Sequence, residues 1–165
     1  ALGQTGNFVS PRVELLEFGV FCPDEPSGQV EAPDTERGFI DLIDGDPPVD
    51  FRTDVVPGEL GLGFGMRFRL AEGEGDGLRM GRVIITHPPF GSPPIERESY
   101  AITLDGSSTS MTQFDFDDPY EVQHGTWSMA IEIDGEIVLR QIFTVVPKDL
   151  SPICARMCDG PDLLG

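Results

Sequence analysis

Hydrophobic side chains at every second position are the feature that most limits what this chain can fold into. Between residues 62 and 70, five apolar side chains alternate with glycine and arginine. From Trp127 to Ile133, four more alternate with smaller or polar residues, and a third run, interrupted by Gln141, extends to Val145. Successive side chains of a strand point to opposite faces of a sheet, so this period predicts strands with one buried face.

Turn residues divide these runs into hairpins. Asp134-Gly135 separates 127–133 from 136–146. A two-residue Asp-Gly connection favours a type I′ turn, so we expect an antiparallel hairpin here. An acidic, glycine-rich turn lies between 62–70 and 79–87, and we expect these two segments to form a second hairpin.

Shorter strands are predicted elsewhere, and together they indicate the fold class. Asp105-Gly106 separates 100–104 from 110–116. The 20 glycines and 15 prolines make 35 of the 165 residues, which is more turn-forming residues than long helices tolerate. We predict an all-β fold, an immunoglobulin-like antiparallel sandwich of seven to nine strands. The remaining predicted strands are 13–21, 38–43 and 49–55.

The same alternation predicts the core and the domain boundary. Residues 1–147 are expected to form one sandwich domain, and 148–165 a C-terminal tail held by a disulfide. The side chains predicted to fill the core are Phe64, Met66, Phe68, Val83, Ile85, Ile102, Phe114, Phe116, Trp127, Met129, Ile131, Leu139, Phe143 and Val145.

The charge balance excludes several classes of partner. Acidic residues number 29 and basic residues 11, which gives a net charge of −18. Nucleic acids and anionic membrane surfaces require a cationic footprint, so neither is expected as a partner. No stretch of apolar residues is long enough to span a membrane. Ala1 is a small residue of the type that follows a signal-peptidase cut, which favours a periplasmic or secreted protein whose signal peptide has been removed.

Three cysteines allow one disulfide. Cys154 and Cys158 are close enough to close a short loop, and Cys22 is able to pair with either tail cysteine. In an immunoglobulin-like sandwich the first and last strands commonly run parallel along one edge, which would bring Cys22 near Pro147. This argument favours a Cys22–Cys154 bond, worth about 4–5 kcal/mol in the chain-entropy model.

The order of motifs in the C-terminal half is similar to that of a known family. The motifs are Gly65-Met-Arg-Phe-Arg-Leu70, His87-Pro-Pro89, Phe116-Asp-Asp-Pro-Tyr-Glu-Val122 and Gly125-Thr-Trp127, followed by the final hairpin. Over about residues 60–146 the chain resembles a family of bacterial exported β-sandwich domains of unknown function. The resemblance implies an all-β fold and an exported bacterial protein. It implies no catalytic residue.

The arginines provide one candidate binding site. Arg67, Arg69, Arg79 and Arg82 all lie on the second predicted hairpin, where Arg67 would oppose Arg82. Like charges placed opposite each other destabilise a sheet unless an anion offsets them. Arg67, Arg69 and Arg82 are therefore a candidate patch for a small anionic ligand or an acidic protein partner. The alternative is pairing with carboxylates of the chain itself, such as Glu96 or Glu98.

Two further candidates lie at the end of the same strand. His87 precedes a proline-rich loop, 88–94, that carries Phe90. A stiff loop with an aromatic is able to form a recognition surface, although it also serves as a simple connector. The second histidine, His124, is interpreted as a turn residue, and neither histidine has a nucleophile beside it in the sequence.

Other chemistry has weaker support. Gly61-Leu-Gly-Phe-Gly65 resembles a phosphate loop, but its glycines alternate with core residues inside a strand, where glycine marks close backbone approach. Asp115, Asp117 and Asp118, together with the carboxylates of 44–46 and 72–76, do not match a calcium loop and are interpreted as solvated turns. No cofactor and no metal is predicted.

These observations favour a non-enzymatic binding or assembly module. Its acting surface would be the loops or a sheet edge, and an exposed edge would also permit a homodimer. Two alternatives remain open. One is a structural subunit of the cell envelope, and the other is a hydrolase built from Asp, Glu and His on the loops, which would require a His–carboxylate pair in a deep pocket.

Overall fold

The computed structural model describes residues 6–23, 28–36, 39–42, 49–151, 153 and 158, and this part of the chain is nearly all β. Its helical elements are three 3₁₀ turns, at Glu72–Glu74, Pro119–Glu121 and Lys148–Leu150. No helix among these residues is long and apolar enough to cross a membrane. The strands are β1 (Phe8–Val9), β2 (Val13–Phe21), β3 (Gly28–Glu31), β4 (Phe39–Leu42), β5 (Val55–Gly58), β6 (Gly63–Leu70), β7 (Leu78–Phe90), β8 (Ile95–Asp105), β9 (Thr109–Asp115), β10 (Gly125–Ile133) and β11 (Glu136–Pro147).

The strands form two packed sheets and a separate hairpin. The larger sheet has the order β1-β11-β10-β7-β8, and β5 also pairs with β11. The smaller sheet has the order β2-β6-β9, and β3 pairs with β4. All pairs are antiparallel except β5 with β11. The predicted immunoglobulin-like sandwich is confirmed, but the predicted number of seven to nine strands is too low, since the described residues form eleven.

The hairpin at Asp134-Gly135 is also confirmed. β10 pairs with β11, with Trp127 opposite Phe143 and Ile131 opposite Leu139. Asp134 has φ 54° and Gly135 has φ 77°. Positive φ at both central residues is the requirement of a type I′ turn, and it explains why aspartate and glycine occupy these positions.

The second predicted hairpin is wrong. β6 lies in the small sheet between β2 and β9, whereas β7 lies in the large sheet between β10 and β8. The chain between them crosses from one sheet to the other instead of turning back in one sheet. Asp105-Gly106 likewise separates β8 and β9, which belong to different sheets. Alternation defines which face of a strand is buried, but it does not define which strand pairs with it. Only the tight Asp134-Gly135 turn specified a pairing partner.

The expected parallel pairing of the first and last long strands is wrong as well. β2 pairs antiparallel with β6, and the parallel partner of β11 is β5. The strand predicted at 49–55 is reduced to one bridge between Phe51 and Val20, and β5 begins only at Val55. Of the strand predicted at 38–43, residues 39–42 form β4, and 38 and 43 lie outside the described residues.

Cys22 is bonded to a tail cysteine, but the partner differs from the predicted one. The disulfide joins Cys22 to Cys158, with their Cα atoms 5.5 Å apart, which is a normal distance for the bond. The predicted Cys22–Cys154 pairing is therefore wrong. Cys154 and Cys158 are only four residues apart, so a position of β2 near the tail does not distinguish between them. Cys154 itself lies outside the described residues.

The core lies between the two sheets, as predicted. Trp127 is fully buried and has Phe64, Phe114 and Phe116 around its ring. The glycines of β6 allow close backbone approach, because a Cβ at Gly65 would lie 2.0 Å from the carbonyl oxygen of Thr112. They are structural residues of a central strand.

Candidate binding groove

One end of the sandwich carries an open groove of about 600 Å³. Three chain segments form its walls. The first follows β5, the second contains the 3₁₀ turn Pro119–Glu121 and the residues after it, and the third is the junction between β11 and the tail. The lining residues are 58–60, Pro119, Val122, His124 and 147–149.

The parallel pairing of β5 with β11 brings two of these walls together. Gly58 is in register with Pro147, so both strands end at the same level. After Pro147 the chain forms the 3₁₀ turn Lys148–Leu150. After Gly58 it turns back toward β6, with the amide of Leu62 donating to the carbonyl of Glu59 over 3.2 Å.

The third wall is held by a buried carboxylate. One oxygen of Glu121 accepts the backbone N–H groups of Asp117 and Asp118, each over 2.9 Å. Burial raises the pKa of Glu121 to about 7, against the opposing effect of these two hydrogen bonds. The indole N–H of Trp127 donates to the carbonyl of Gln123 over 2.8 Å. The wall is thus attached to the core on both sides of Val122.

His124 lies directly against the backbone of β5. A Cβ built on Gly58 would be 3.0 Å from both Cδ2 and Nε2 of the His124 ring and 3.0 Å from Val122 Cγ1. Glycine at position 58 therefore provides the space that the imidazole occupies. His124 is exposed, and no hydrogen bond or ion pair joins its ring to another described residue.

Lys148, the single lysine of the chain, also lines the groove without a partner for its ammonium group among the described residues. Most of the described arginines, unlike Lys148, have a carboxylate partner. At the opposite end of the sandwich, Arg12 contacts Glu74, Asp134 and Glu136, and its hydrogen bond lowers the pKa of Glu74. The other arginines with carboxylate partners are Arg52, Arg67, Arg69, Arg79 and Arg82.

Each segment around the groove also exposes a large apolar side chain. These are Leu60 after β5, Tyr120 in the 3₁₀ turn and Leu150 at the start of the tail. Of these three, Leu60 lines the groove, whereas Tyr120 and Leu150 belong to the neighbouring segments and are not lining residues. The lining therefore combines apolar side chains with polar and charged ones. The apolar ones are Leu60, Pro119, Val122 and Pro147, and the polar or charged ones are Glu59, His124, Lys148 and Asp149.

The structure does not assemble the predicted arginine patch. Arg67 and Arg69 are on β6 in the small sheet, and Arg82 is on β7 in the large sheet. Arg67 is 3.1 Å from Glu17, and Arg69 is 2.9 Å from Glu14. The predicted opposition of Arg67 and Arg82 is wrong because β6 and β7 do not pair.

Arg82 follows the alternative interpretation, although its partners differ from those suggested. Its guanidinium is 3.1 Å from the carboxylate of Asp34 and donates to the hydroxyl of Ser99 over 2.9 Å. Arg79 bonds to Glu74. The four arginines of the two predicted strands, Arg67, Arg69, Arg79 and Arg82, therefore each pair with a carboxylate of the chain.

His87 and Phe90, the two other predicted site residues, are brought together but are buried. Their rings stack with centroids 4.0 Å apart. Nε2 of His87 lies 2.8 Å from the carboxylate of Glu98, and Nδ1 donates to the carbonyl of Pro88 over 2.7 Å. This His–carboxylate pair is buried, with His87 3% and Glu98 5% exposed. The arrangement leaves neither ring accessible to a ligand.

Sequence reasoning overlooked most of the groove. In the sequence His124 has the pattern of a turn residue, and no local motif marks Gly58 or Lys148 as part of a site. One signal was available, because Lys148 is the only lysine and follows directly on the last strand. No group of three or more His, Cys, Asp or Glu among the described residues is arranged to hold a metal ion. The acidic residues 44–46 lie outside the described part of the chain.

Comparisons with known proteins identify a family and a solved structure with a similar fold. A family profile described as "Domain of unknown function (DUF3859)" matches residues 9–145. The fold is similar to that in a 1.50 Å crystal structure of an immunoglobulin-like protein from Pseudomonas aeruginosa, with a TM-score of 0.54 and 20% sequence identity. That match covers 87% of this chain and 99% of the other. No protein of curated function matches the chain.

Proposed function

The chain belongs to the DUF3859 family, and from that premise we propose that it is a non-enzymatic binding module, exported by a bacterium, that holds a protein partner in the groove at the end of its sandwich. The observation that carries this proposal is the groove itself. It joins exposed apolar side chains to His124 and Lys148, neither of which has a side-chain partner among the described residues. Binding residues on loops positioned by a rigid sandwich are a common arrangement.

A binding role agrees better with this geometry than hydrolysis does. Hydrolysis needs a base that a carboxylate orients, next to an accessible nucleophile. His124 has no carboxylate partner among the described residues, and the pair that does exist, His87 with Glu98, is enclosed by Phe90 and Trp127. Export is supported by the Cys22–Cys158 disulfide, because such bonds persist in oxidising compartments. Alkylation of thiols in intact bacteria, followed by peptide mapping, tests whether the bond exists in the cell.

The proposed surface is tested by peptide selection with a matched control. Peptides selected from a random display library on the wild-type protein are re-assayed on two double variants. In the first, Leu60 of the groove and Leu150, which follows the lining residue Asp149, are changed to serine. In the second, the change is made at Leu78 and Met80 of β7, which are 72% and 62% exposed, at least as much as Leu60 at 49%.

We expect the groove variant to lose the selected peptides and the β7 variant to retain them. Equal loss in both variants would indicate non-specific adhesion and would contradict the proposal. Turnover of model ester, peptide or glycoside substrates that disappears in His124→Ala would favour the hydrolase instead.

A further inference from the structure

We infer that one extended segment of a partner polypeptide adds to β9 as a fourth strand of the small sheet, on the side of the sandwich between β8 and β9. No residue of these two strands lines the groove, so the inference goes beyond the proposed function. Three observations carry it: the unequal width of the two sheets, the direction of the β9 backbone groups, and the half-buried apolar side chains along this side.

The small sheet is narrower than the large sheet. β2 packs against β11 through the rings of Phe18 and Phe143, and β6 packs against β10 through Phe64 and Trp127. By the order of the strands, β9 then lies opposite β7, and β8 extends past it with no described strand of the small sheet opposite. Neighbouring strands are about 4.8 Å apart. The place beside β9 that β8 faces is therefore one strand wide.

The backbone of β9 directs every second residue toward this place. The N–H of Phe116, directly after β9, donates to the carbonyl of Leu62, and the carbonyl of Thr112 also faces β6. Backbone groups alternate in direction along a strand, so those of Met111 and Gln113 point away from β6. No described strand pairs with that edge. Water is able to satisfy these groups singly, but the row as a whole matches the backbone of another extended chain.

Apolar side chains on the same side of the sandwich are only half-buried. Tyr100 and Ile102 of β8 and Phe114 of β9 pack against the core, but each is partly exposed. Corresponding side chains of the central strands, such as Met129 and Ile131, are fully buried. A strand beside β9 would lie about 10 Å from β8, the usual distance between packed sheets, and would cover Tyr100 and Ile102. The added segment must therefore carry an apolar residue at every second position.

The other described edges are covered or short. β2 is bridged at Val20 by Phe51, and β1 and β5 lie along β11. The first half of β8 is covered where the N–H of Ser99 donates to the carbonyl of Asp34. β9 in contrast is seven residues long and contains no proline and no lysine, which are residues that commonly protect an edge from pairing. The edge of β9 is therefore the one best suited to strand addition.

The geometry favours a single segment over a second copy of the chain. Two copies paired through β9 would form one continuous sheet with both large sheets on the same side of it. Each β8 extends past its own β9, so the two β8 strands would meet in the same place. The net charge of −18 also opposes self-association and repels acidic segments. The occupant that fits is an extended segment with alternating apolar residues and basic residues at its ends.

The test blocks the backbone of such a segment without changing its side chains. The parent is the fluorescein-labelled peptide Lys-Val-Thr-Val-Thr-Val-Lys, and two derivatives carry N-methyl groups on all valines or on all threonines. In an added strand one set of N–H groups faces β9 and the other faces away. Binding is measured by fluorescence anisotropy on the wild type, on the groove variant with serine at positions 60 and 150, and on Met111→Pro. Proline is tolerated at an edge position whose N–H points outward.

We expect one methylated peptide to bind as tightly as the parent and the other about tenfold or more weakly, because only one set of N–H groups is used. Met111→Pro should weaken binding of the parent about three- to tenfold, and the groove variant should bind it like the wild type. Hydrogen exchange measured by NMR should slow at Met111 and Gln113 when the parent binds. The amide of Thr112, which faces β6, should exchange slowly with and without peptide.

Three results would overturn the inference. The first is no binding of the parent peptide at millimolar concentration, and the second is equal affinity of the two methylated peptides. The third is a dimer of the free protein in light scattering with the Met111 and Gln113 amides protected, because a second copy would then be the occupant. None of these results affects the proposed groove, which is tested by peptides that depend on Leu60 and Leu150. Failure of that selection likewise leaves strand addition at β9 standing.

Discussion

The two histidines of the chain occupy opposite kinds of environment. His87 is buried, stacked on Phe90, and both of its ring nitrogens face acceptors, the carbonyl of Pro88 and the carboxylate of Glu98. His124 is exposed against Gly58, and neither of its ring nitrogens has a partner among the described residues. The first region is a closed polar cluster within the sandwich, and the second is an open groove at its end.

The difference between the regions shows how to separate structural from functional polar groups. A buried polar group is tolerated only when its hydrogen bonds are made, and the cluster around His87 meets that condition. Nδ1–H donates to Pro88, and Nε2 shares one proton with Glu98, whichever of the two carries it. His124 and Lys148 are exposed, so water is able to satisfy their hydrogen bonds and their side chains are not needed to complete the core. The comparison therefore predicts stability effects from the cluster and binding effects from the groove.

The largest expected effect comes from opening the closed cluster. One oxygen of Glu98 shares a hydrogen bond with Nε2 of His87, and the other accepts the backbone N–H of Glu36 over 2.9 Å. Glu98→Ala leaves both buried nitrogens without this partner, and we expect a loss of about 3–5 kcal/mol in the free energy of unfolding. Urea denaturation followed by Trp127 fluorescence measures it.

Two variants sharpen this result. Glu98→Gln keeps an acceptor oxygen and the side-chain shape, so it should cost clearly less than Glu98→Ala. His124→Ala should change stability by no more than about 0.5 kcal/mol, as is usual for an exposed side chain. If Glu98→Ala cost less than His124→Ala, the distinction between the two regions would be lost.

A smaller effect is expected from Glu121, which belongs to the groove wall yet is buried like the closed cluster. Burial raises its pKa to about 7, compared with 4.5 in the unfolded chain. A raised folded pKa gives a contribution that is complete below about pH 4.5 and is lost as the pH rises through 7. After allowance for solvent screening, we expect stability to fall by about 1–2 kcal/mol between pH 5 and pH 8 through this group.

The test measures the free energy of unfolding between pH 5 and pH 8 for the wild type and two variants. Glu121→Gln retains an acceptor for the N–H groups of Asp117 and Asp118 but does not titrate, so its stability should depend less on pH over this range. Glu96→Gln, a change at an exposed carboxyl on β8, is the control and should keep the wild-type profile. Parallel profiles for wild type and Glu121→Gln would mean that this wall is solvated like any surface turn.

The sequence predicted the buried faces of this fold more successfully than the partners of its strands. Alternation around Phe64 and Trp127 identified the core because side-chain direction is a local property of a strand. The Asp134-Gly135 hairpin was predicted because a two-residue turn leaves one partner only. The β6–β7 connection was mispredicted because a longer link permits either a return in one sheet or a crossing to the other, and the choice depends on the whole core.

The groove was harder to predict because its walls are distant in the sequence. Gly58 and Pro147 meet through a parallel pairing of β5 and β11, for which neither strand carries a local signal. His124 comes between them and looks like an ordinary turn residue in the sequence. A binding patch of arginines is predicted because they cluster on neighbouring segments of the sequence, yet the fold places those segments in different sheets. Proximity in the sequence was therefore a poor guide to the binding surface.

The smallest expected change in stability, and the most local, comes from Gly58→Ala. The added Cβ would lie 3.0 Å from the His124 ring, so the ring must move by a few tenths of an ångström. Gly58 has no positive φ, so the backbone adopts the new residue without strain, and we expect stability to stay within about 0.5 kcal/mol of wild type. The His124 ring signals in a ¹H–¹³C NMR spectrum should shift, and binding of selected peptides should weaken.

Gly73→Ala, where nothing lies within 4 Å of the new Cβ, is the matched control. Unchanged His124 signals in Gly58→Ala would show that the imidazole does not rest against β5, and the groove would lose the wall that distinguishes it from the closed cluster.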